Sequence, residues 1–444
     1  MIRRSLNFGG WMAIDRAGAM VGSLVGQLLI ARSLGPAGTG DINALLAMTA
    51  ILAPISQLGI GWHAARAIRD SPADEAAILC AGLAWRLIGA SLAMVSLIVI
   101  GLLLTPNAET RLAWFVLALA QLPSALSVVE MRYHADLSLG RLVPWKLGVV
   151  VLALLAKLVV ALLNPTVNAF VMVLAAETAA LGIVCASLYR HHTGFLLTSA
   201  KRTPWLSWFG RRAPLLTLAG VAEYAHLKID VLMLTLMLGS VQAGLYSAAA
   251  RVSEAWYALA IVASAVMVNH IWRPEMSAEQ TAQRLQVGFD GLFSAGLLVA
   301  VCLSVFSSEL VAMLFGSAFA QSAGILAIHV WAGVFMFMRA LLSRWLVEND
   351  LPALSLLSHA SALCVNVALN LLLIPRWGGV GAAIATVVSC AMSVWLSMFF
   401  VDKSRVVARH VTRAMLLPCR WRDLTRYARH LAQEIVAIWG RKFG

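Results

Sequence analysis

The amino-acid sequence predicts an all-α polytopic membrane protein, with about twelve transmembrane helices in two six-helix lobes related by pseudo-two-fold symmetry. Three observations predict this fold: an apolar composition, a succession of apolar runs, and a motif that occurs in both halves of the chain. Hydrophobic residues make up 61% of the 444 residues and charged residues only 12%, and the mean hydropathy is +0.83. Because ordinary soluble domains carry about 25% charged residues, this chain has too few charges to cover a surface in water.

Apolar runs of the length needed to cross a bilayer, about 20 residues, follow one another along the chain. The predicted spans lie at about 10–31, 40–60, 77–104, 112–131, 143–163, 167–189, 214–237, 243–268, 286–307, 321–346, 353–374 and 379–401. Arg3 and Arg4 precede the first run, as in a signal peptide. Asp15 and Arg16 interrupt this run and no small-residue cleavage site follows, so it is interpreted as a retained first helix.

The spans divide the chain into lobes and connecting segments. The predicted parts are an N-terminal six-helix lobe at 1–195, a basic cytoplasmic linker at 196–213, a C-terminal six-helix lobe at 214–401 and a basic amphipathic cytoplasmic tail at 402–444. In the tail, apolar residues recur at steps of three and four. This favours an amphipathic helix on the anionic inner leaflet, with partner binding as the alternative. These residues are Trp421, Leu424, Ala428, Leu431, Ile435 and Ile438.

The positive charge of the chain indicates its orientation. The formal net charge is +13, which in a soluble protein would suggest a nucleic-acid partner. In a membrane protein, Lys and Arg accumulate in cytoplasmic loops. When the loops are sorted alternately, one set holds only Arg32, Arg111 and Arg376, and the other set, with both termini, holds the large majority. This asymmetry predicts a multi-pass protein of a cytoplasmic membrane, with both termini in the cytoplasm and no nucleic-acid partner.

A short motif recurs in the two halves. Leu-Gly, four residues and a second Gly occur first with Gly35 and Gly40, and again with Gly239 and Gly244. Each motif lies at a predicted outer loop between the first and second helix of a half, where glycine permits a tight turn. Because six spans per half is an even number, the halves share one orientation, with an axis along the membrane normal and a central cavity between them.

Many ionisable side chains fall inside the predicted spans, where each costs several kcal/mol unless it faces a polar cavity or a partner. The basic ones are Arg16, Arg86, Lys157, Lys228, Arg251 and Arg339, and the acidic ones are Asp15, Glu177, Glu223, Asp230, Glu254 and Asp290. One interpretation is that they pair between helices and only lock the bundle. The other is a water-filled cavity for an anionic cargo, because the planar guanidinium group of Arg binds phosphate oxygens in pairs.

Two sets of candidate site residues follow. The candidate substrate-binding residues are Arg16, Arg86, Arg251 and Arg339. The candidates for coupling to a proton or sodium ion, or for charge pairing, are Asp15, Glu223, Asp230 and Glu254. Arg251 and Glu254, three residues apart on one helix, are spaced to pair. His226 shares a helix face with Glu223 and Asp230 and is interpreted either as structural or as a proton relay.

Signs of catalysis, cofactors or metals are missing from the sequence. The six cysteines have no CxxC spacing, and no His or Cys cluster suggests zinc. There is no nucleotide-binding motif, so direct use of ATP is not expected. The predicted protein is therefore not an enzyme and needs no cofactor.

Three segments resemble one family of transporters. The segment from Lys228 to Trp256 reads KIDVLMLTLMLGSVQAGLYSAAARVSEAW, and the segment from Asn366 to Ser389 reads NVALNLLLIPRWGGVGAAIATVVS. Together with ARSLGPAGTGDINAL near the N-terminus, they resemble the signatures of Wzx-like polysaccharide flippases. This group lies within the multidrug/oligosaccharidyl-lipid/polysaccharide (MOP) superfamily, whose members are similar in having two six-helix, MATE-like lobes. The first turn departs from the pattern, with Thr39-Gly40-Asp41 where many members have glycine followed by an aromatic residue.

The resemblance implies a function. Such a flippase moves undecaprenyl-pyrophosphate-linked oligosaccharide repeat units from the inner to the outer leaflet of the bacterial cytoplasmic membrane by alternating access. The product feeds O-antigen, capsule or exopolysaccharide synthesis, which also implies polysaccharide polymerase and chain-length proteins as partners besides the membrane lipids. Two alternatives stay open: a cation-coupled multidrug exporter of the same superfamily, and a membrane polysaccharide polymerase or ligase, which would usually carry a long outer loop.

Overall fold

A computed structural model of the protein describes residues 2–104, 108–193, 204–272 and 276–420, and within these ranges the chain forms helices and turns without any strand. The helices of the N-terminal half are α1 (Ile2–Gln57), α2 (Ile60–Asp70), α3 (Glu75–Leu104), α4 (Ala108–Leu119), α5 (Gln121–Ser124), α6 (Glu130–Ala135), α7 (Val143–Leu163) and α8 (Val167–Thr193). Those of the C-terminal half are α9 (Trp205–Leu238), α10 (Ser240–Glu254), α11 (Tyr257–Ile271), α12 (Ala278–Val305), α13 (Ser307–Phe315), α14 (Ser322–His329), α15 (Ala332–Glu348), α16 (Pro352–Val394) and α17 (Arg405–Met415).

The helices account for the predicted number of spans. In the part of the chain that the structure describes, nine helical segments are long and apolar enough to cross a membrane. Two of them, Phe8–Gln57 with 50 residues and Pro352–Phe399 with 48 residues, are about twice the length of one crossing. Each of these is broken once, and the 34-residue α9 lies between the two halves. Counting two crossings for each broken helix and one for α9 gives the twelve spans that the apolar runs predict.

A glycine with a positive φ angle makes the turn in each copy of the repeated motif and shows the internal repeat directly. The backbone leaves the helical conformation at Gly35 (φ 65°, ψ −172°) in α1, and at Gly239 (φ 87°, ψ 174°) between α9 and α10. Residues other than glycine are strained at such φ angles. The two positions are the first glycines of the repeated motif, so the two halves turn in the same way at the same point. The two-lobed membrane fold is confirmed.

Each half has its own hydrophobic core, and the apolar outer surface of the helices faces lipid. In the C-terminal half, one large cluster of buried side chains includes Phe289 of α12, Leu341 of α15 and Ala383 of α16. The N-terminal half has two smaller clusters, one around α2, α3 and α8 and one around α1, α4 and α8. By contrast, Leu152 and Leu162 of α7 are 67% and 74% exposed. Such exposure of large apolar side chains suits a helix surrounded by hydrocarbon.

The first part of the predicted tail is a short helix that packs on the C-terminal half. Val407, Ala408 and Val411 of α17 are fully buried, and the Trp395 indole donates a hydrogen bond of 2.8 Å to Thr412 Oγ1. The predicted amphipathic helix at Trp421–Ile438 lies outside the described residues, as does much of the predicted basic linker. The domain boundaries stay predictions.

The docking of α17 is expected to weaken at acid pH. His410, outside the membrane spans, donates from Nδ1 to Gln286 Oε1 at 2.7 Å. Burial lowers the pKa of His410, and the nearby Arg413 lowers it further, against an opposite effect of Asp290. The His410 imidazole therefore binds a proton more readily when α17 is undocked than when it is docked. As pH falls below about 6.5, the free energy that favours the docked helix decreases.

Proteolysis measures this loss. Trypsin cleavage at the arginines of α17, normalised to a peptide substrate, should increase between about pH 7 and pH 5. The increase should be absent in His410→Gln. An equal increase in both proteins would contradict the assignment to His410.

Candidate functional site

A cavity of about 280 Å³ lies between the two halves, where α1 meets α9 and α10. It is called the central cavity below. Its lining residues come from both lobes: Ser23, Asn43, Leu46, Ala47 and Ala50 from α1, and Leu227, Lys228, Val231, Tyr246, Ser247, Ala250, Arg251 and Glu254 from α9 and α10. This is the position that the two-lobe prediction gives to a cargo site.

An ion pair joins the two C-lobe helices inside the central cavity. Lys228 Nζ lies 2.9 Å from Glu254 Oε1 and 2.7 Å from Glu254 Oε2, so one ammonium group holds both carboxylate oxygens. The spacing of Arg251 and Glu254 along one helix suggested a different pair. The structure corrects this, because the hydrogen-bonded cation of Glu254 comes from the neighbouring helix.

Arg251 instead reaches across to the N-terminal lobe. Its Nη1 donates to Ser23 Oγ of α1 at 2.9 Å. Ser247, one turn before Arg251 on α10, also lines the cavity. Its hydroxyl is buried and has no hydrogen-bond partner. The cavity wall thus holds a guanidinium group that bridges the lobes, with a free hydroxyl beside it.

Arg16 lies on the same face of α1 as Ser23, seven residues and two turns earlier. It is exposed and is not among the residues that line the central cavity. Among the described residues, the cavity lining holds two cations, Lys228 and Arg251, and a single carboxylate, that of Glu254. This charge balance suits an anionic ligand.

A second polar site is buried within the C-terminal lobe, next to the central cavity. Asp230 is fully buried and accepts hydrogen bonds from Tyr246 Oη at 2.9 Å, Thr386 Oγ1 at 2.8 Å and Asn370 Nδ2 at 2.5 Å. Within the described residues no basic side chain forms an ion pair with Asp230. Asn370 Oδ1 is buried without a hydrogen-bond partner.

Further polar side chains continue this network along α16. Asn370 Nδ2 donates to Asn366 Oδ1 at 2.9 Å, and Asn366 Nδ2 donates to Ser389 Oγ at 3.3 Å. His226 Nε2 lies 3.0 Å from the same Ser389 hydroxyl. Sequence reasoning found Asp230 and His226 but assigned no role to Asn366, Thr386 or Ser389. The four-residue spacing of two asparagines in an apolar run was the available signal.

Two of the predicted substrate-binding arginines lie inside the lobes. Arg86 is 5% exposed, and its Nη1 donates to Ser127 Oγ at 2.7 Å within the N-terminal lobe. Arg339 is equally buried. Its guanidinium group donates hydrogen bonds to Ser358 Oγ, the Ser393 carbonyl, Ser355 Oγ and His359 Nε2. Neither arginine lines the central cavity.

Two of the predicted acidic residues also lie away from the central cavity. Asp15 accepts a hydrogen bond of 3.0 Å from Lys146, which also binds Glu130 at 2.9 Å. Glu223 is half-exposed, and its Oε2 lies 3.9 Å from His359 Nε2. Of the eight predicted site residues, the structure therefore brings Arg251 and Glu254 to the cleft. It places Asp230 beside the cleft.

Main-chain contacts close the cleft at its predicted outer end. Gly40 and Gly244, the second glycines of the repeated motif, face each other across the lobes. A Cβ on Gly40 would overlap the Ser240 carbonyl, and one on Gly244 would overlap the Pro36 carbonyl. Asp41 accepts a hydrogen bond from the Ser240 hydroxyl. Gly40, Asp41, Ser240 and Gly244 are called the outer closure below.

Arg32 adds a second connection at the same end. Its Nε donates to the Leu314 carbonyl at 2.8 Å and its Nη2 to the Met313 carbonyl at 2.6 Å. These carbonyls belong to the last turn of α13, where carbonyl oxygens have no hydrogen-bond donor within the helix. A cation there also interacts favourably with the helix dipole.

No group of three His, Cys, Asp or Glu side chains that could hold a metal ion is present in the described part of the chain.

Solved structures of MOP-type transporters resemble this fold over nearly the whole chain. The lipid II flippase MurJ in its inward closed conformation matches with a TM-score of 0.68 and 12% identity, over 94% of this chain and 91% of that one. An inward-facing multidrug resistance MATE transporter of the MOP superfamily matches with a TM-score of 0.62 and 14% identity, over 90% and 99%. A mutant of the MATE transporter VcmN from Vibrio cholerae matches with a TM-score of 0.60 and 15% identity, over 89% and 95%. At these identities the likeness shows the fold alone.

Sequence comparison identifies the family. A protein described as a probable low-salt glycan biosynthesis flippase, Agl15 of Haloferax volcanii, is 23% identical over 190 residues, which cover 41% of this chain and 39% of Agl15. The chain thus matches about two-fifths of that relative's length. A family model described as polysaccharide biosynthesis protein matches residues 10–269, which is more than half of the chain. The chain belongs to the polysaccharide biosynthesis protein family and has the fold of the MOP superfamily.

Proposed function

We propose that this protein is a flippase that moves undecaprenyl-pyrophosphate-linked oligosaccharide repeat units from the inner to the outer leaflet of the bacterial cytoplasmic membrane. The observation that carries the proposal is the central cavity at the lobe interface, with Lys228 and Arg251 in its lining. Family membership and the partial match to a glycan biosynthesis flippase support it. The translocated units would feed O-antigen, capsule or exopolysaccharide synthesis through a polymerase and chain-length proteins.

The chemistry of the cavity fits the charged part of such a cargo. Arg251 offers a planar fork that binds phosphate oxygens in pairs, and Lys228 offers a compact point charge. The polar groups of Ser23, Asn43 and Ser247 can bond to further phosphate or sugar oxygens. The lipid tail stays in the bilayer between helices. The glycan crosses in the cleft, where it never contacts hydrocarbon.

The contacts between the lobes support transport by alternating access. The outer closure and the bonds of Arg32 connect the lobes at the predicted outer end. These contacts must break for the cargo to leave outward, and rocking of the two lobes would break them together. An inside-negative potential favours the outward movement of the anionic headgroup by about 2.3 kcal/mol per charge per 100 mV.

Asp230 is the proposed coupling residue. It is a buried carboxylate surrounded by hydroxyl and amide groups, with the Asn370 carbonyl oxygen unpartnered beside it. Such an oxygen-rich site suits a proton or a sodium ion. Tyr246 contributes both to this network and to the cavity lining, so it connects the ion site with the cargo site.

The leaflet position of the lipid-linked units tests the proposal. In cells lacking the protein, repeat units should accumulate and stay inaccessible to a glycan-modifying reagent added outside spheroplasts. Units that reach the outer leaflet but remain unpolymerised would instead indicate a polymerase or ligase. Unchanged glycan export together with raised sensitivity to cationic drugs would indicate the exporter.

The variant Arg251→Ala is expected to lower the flipping rate by about 10- to 150-fold. A hydrogen bond to a charged group is worth about 1.5–3 kcal/mol, and the cargo loses at least one such bond. Reconstituted vesicles with a lipid-linked probe measure the rate. Arg66→Ala is the matched control, because Arg66 is exposed and pairs with Asp70 at 3.7 Å, outside the cavity lining. Equal rates in Arg251→Ala and Arg66→Ala would remove Arg251 from the cargo site.

A further inference from the structure

Glu254 is the only acidic side chain among the described residues that line the central cavity. It occupies a place where an anionic cargo would be expected to bind. Both of its oxygens contact Lys228 Nζ, at 2.7 and 2.9 Å. The charge of Arg251, three residues earlier on α10, also acts on it. A built-in carboxylate therefore holds Lys228, one of the two cations that the proposed function assigns to the pyrophosphate.

The ion pair has a clear role while the cavity is empty. A lysine ammonium group taken out of water without a partner costs several kcal/mol. Lys228 and Glu254 are both about three-quarters buried, with side chains 26% and 23% exposed. Glu254 thus stabilises the cleft before any cargo arrives. The same pair must open if Lys228 is to contact a phosphate.

A separate observation marks this place as an anion site. The Ser247 hydroxyl lines the cavity, is buried and lacks a hydrogen-bond partner. On α10, Ser247, Arg251 and Glu254 lie four and three residues apart, so they share one face of the helix. A buried polar group without a partner is costly and is normally satisfied by a ligand or water. Phosphate oxygens would satisfy this hydroxyl as well as the two cations.

We propose that Glu254 is an internal competitor of the cargo's pyrophosphate. The phosphate oxygens displace the carboxylate from Lys228 when cargo enters, and the carboxylate returns to Lys228 when cargo leaves. This rests on the proposed function and adds a release step to it. A carrier site must bind its cargo well enough to load it and weakly enough to let it go. A tethered carboxylate that competes for the same cation meets both demands.

Binding measurements on Glu254→Gln test the competition. The probes are inorganic pyrophosphate and undecaprenyl pyrophosphate, titrated into the purified full-length protein in nanodiscs. Glu254→Gln should bind both probes at least about tenfold more tightly than the wild type, which corresponds to about 1.4 kcal/mol. Its flipping rate in vesicles should fall, because release becomes slow. Tighter binding together with slower turnover is the result that a merely structural ion pair would not give.

A second buried ion pair supplies the matched control. Lys157 Nζ lies 2.6 Å from Glu177 Oε2, on α7 and α8, outside the cavity lining. Glu177→Gln removes an equivalent carboxylate and should leave probe affinity unchanged. If Glu254→Gln does not fold, Glu254→Asp takes its place. The shorter side chain keeps the charge but retracts it from Lys228, so affinity should still rise, by a smaller factor.

The outcomes separate this inference from the proposed function. If the wild type binds the probes, Arg251→Ala loses them, and neither Glu254 variant binds more tightly, Glu254 is not a competitor but the cargo site stands. If no protein, including the wild type, binds either probe, the cargo assignment fails and the competition fails with it.

Discussion

Replacing Gly40 by alanine is expected to hold the outer end of the protein open and to stop most transport. The added methyl group would overlap the Ser240 carbonyl in the outer closure. Overpacking of this kind typically costs about 1–3 kcal/mol, and here the whole cost falls on the closed conformation. An alternating-access cycle that cannot close outward loses about one to two orders of magnitude in rate. Gly244→Ala should act alike, because its methyl group would meet the Pro36 carbonyl.

Crosslinking reports the closure directly. A cysteine pair at Asp41 and Ser240, whose side chains are hydrogen-bonded across the lobes, should form a disulfide readily once the six native cysteines are removed. Adding Gly40→Ala should suppress this disulfide. Gly148→Ala is the control, since a Cβ there meets nothing within 4 Å. Normal transport and normal crosslinking in the Gly40 variant would show that these contacts do not form the outer gate.

Asp230→Asn is expected to abolish the response of flipping to an ion gradient. The carboxylate of Asp230 accepts hydrogen bonds from Tyr246, Asn370 and Thr386. An amide cannot take up a proton or a cation's charge, and its NH₂ group faces donors instead of acceptors. The gradient-driven part of the flux should fall to background. Binding of pyrophosphate in the central cavity should remain, because Lys228 and Arg251 are unchanged.

Vesicles with imposed gradients measure this effect. Flux of a lipid-linked probe is compared under a sodium gradient, a proton gradient and a membrane potential alone, which also identifies the coupling ion. Asp290→Asn is the matched control: Asp290 is equally buried in the same lobe but lies near Arg420, at 3.5 Å. A full gradient response in Asp230→Asn, or no gradient response in the wild type, would contradict the coupling role.

Much of the fold could be predicted from the sequence, for a physical reason. In hydrocarbon every backbone group must be bonded within the chain, so apolar runs become helices. Their lengths and the distribution of Lys and Arg then indicate the number of spans. The repeated glycines could also be placed, because Gly35 and Gly239 both adopt φ angles that other residues avoid. What the sequence did not show is that Gly40 and Gly244 contact each other between the lobes.

The candidate site was only partly accessible to sequence reasoning. Arg86 and Arg251 look alike as charges in apolar runs, yet one bonds Ser127 inside a lobe and the other bonds Ser23 across the cleft. Periodicity along one helix predicts neighbours three and four residues apart, but it carries no information about the next helix. The ion pair of Lys228 and Glu254, which are 26 residues apart on different helices, could therefore not be predicted. Small polar residues such as Ser247 give no signal before their surroundings are known.

The main-chain character of the outer closure has a consequence for how this protein can change over evolution. Apart from the side chains of Asp41, Ser240 and Arg32, the groups that meet in the outer closure and in the adjoining contacts of Arg32 are the backbones of Gly40 and Gly244 and the carbonyl oxygens of Pro36, Ser240, Met313 and Leu314. Peptide groups do not titrate and are the same in every protein. As long as Gly40 and Gly244 stay without side chains, this main-chain part of the seal does not depend on the side chains around the cavity or on the sugar in transit. Side chains around the cavity are free to diverge towards a new glycan while the outer gate keeps its original geometry.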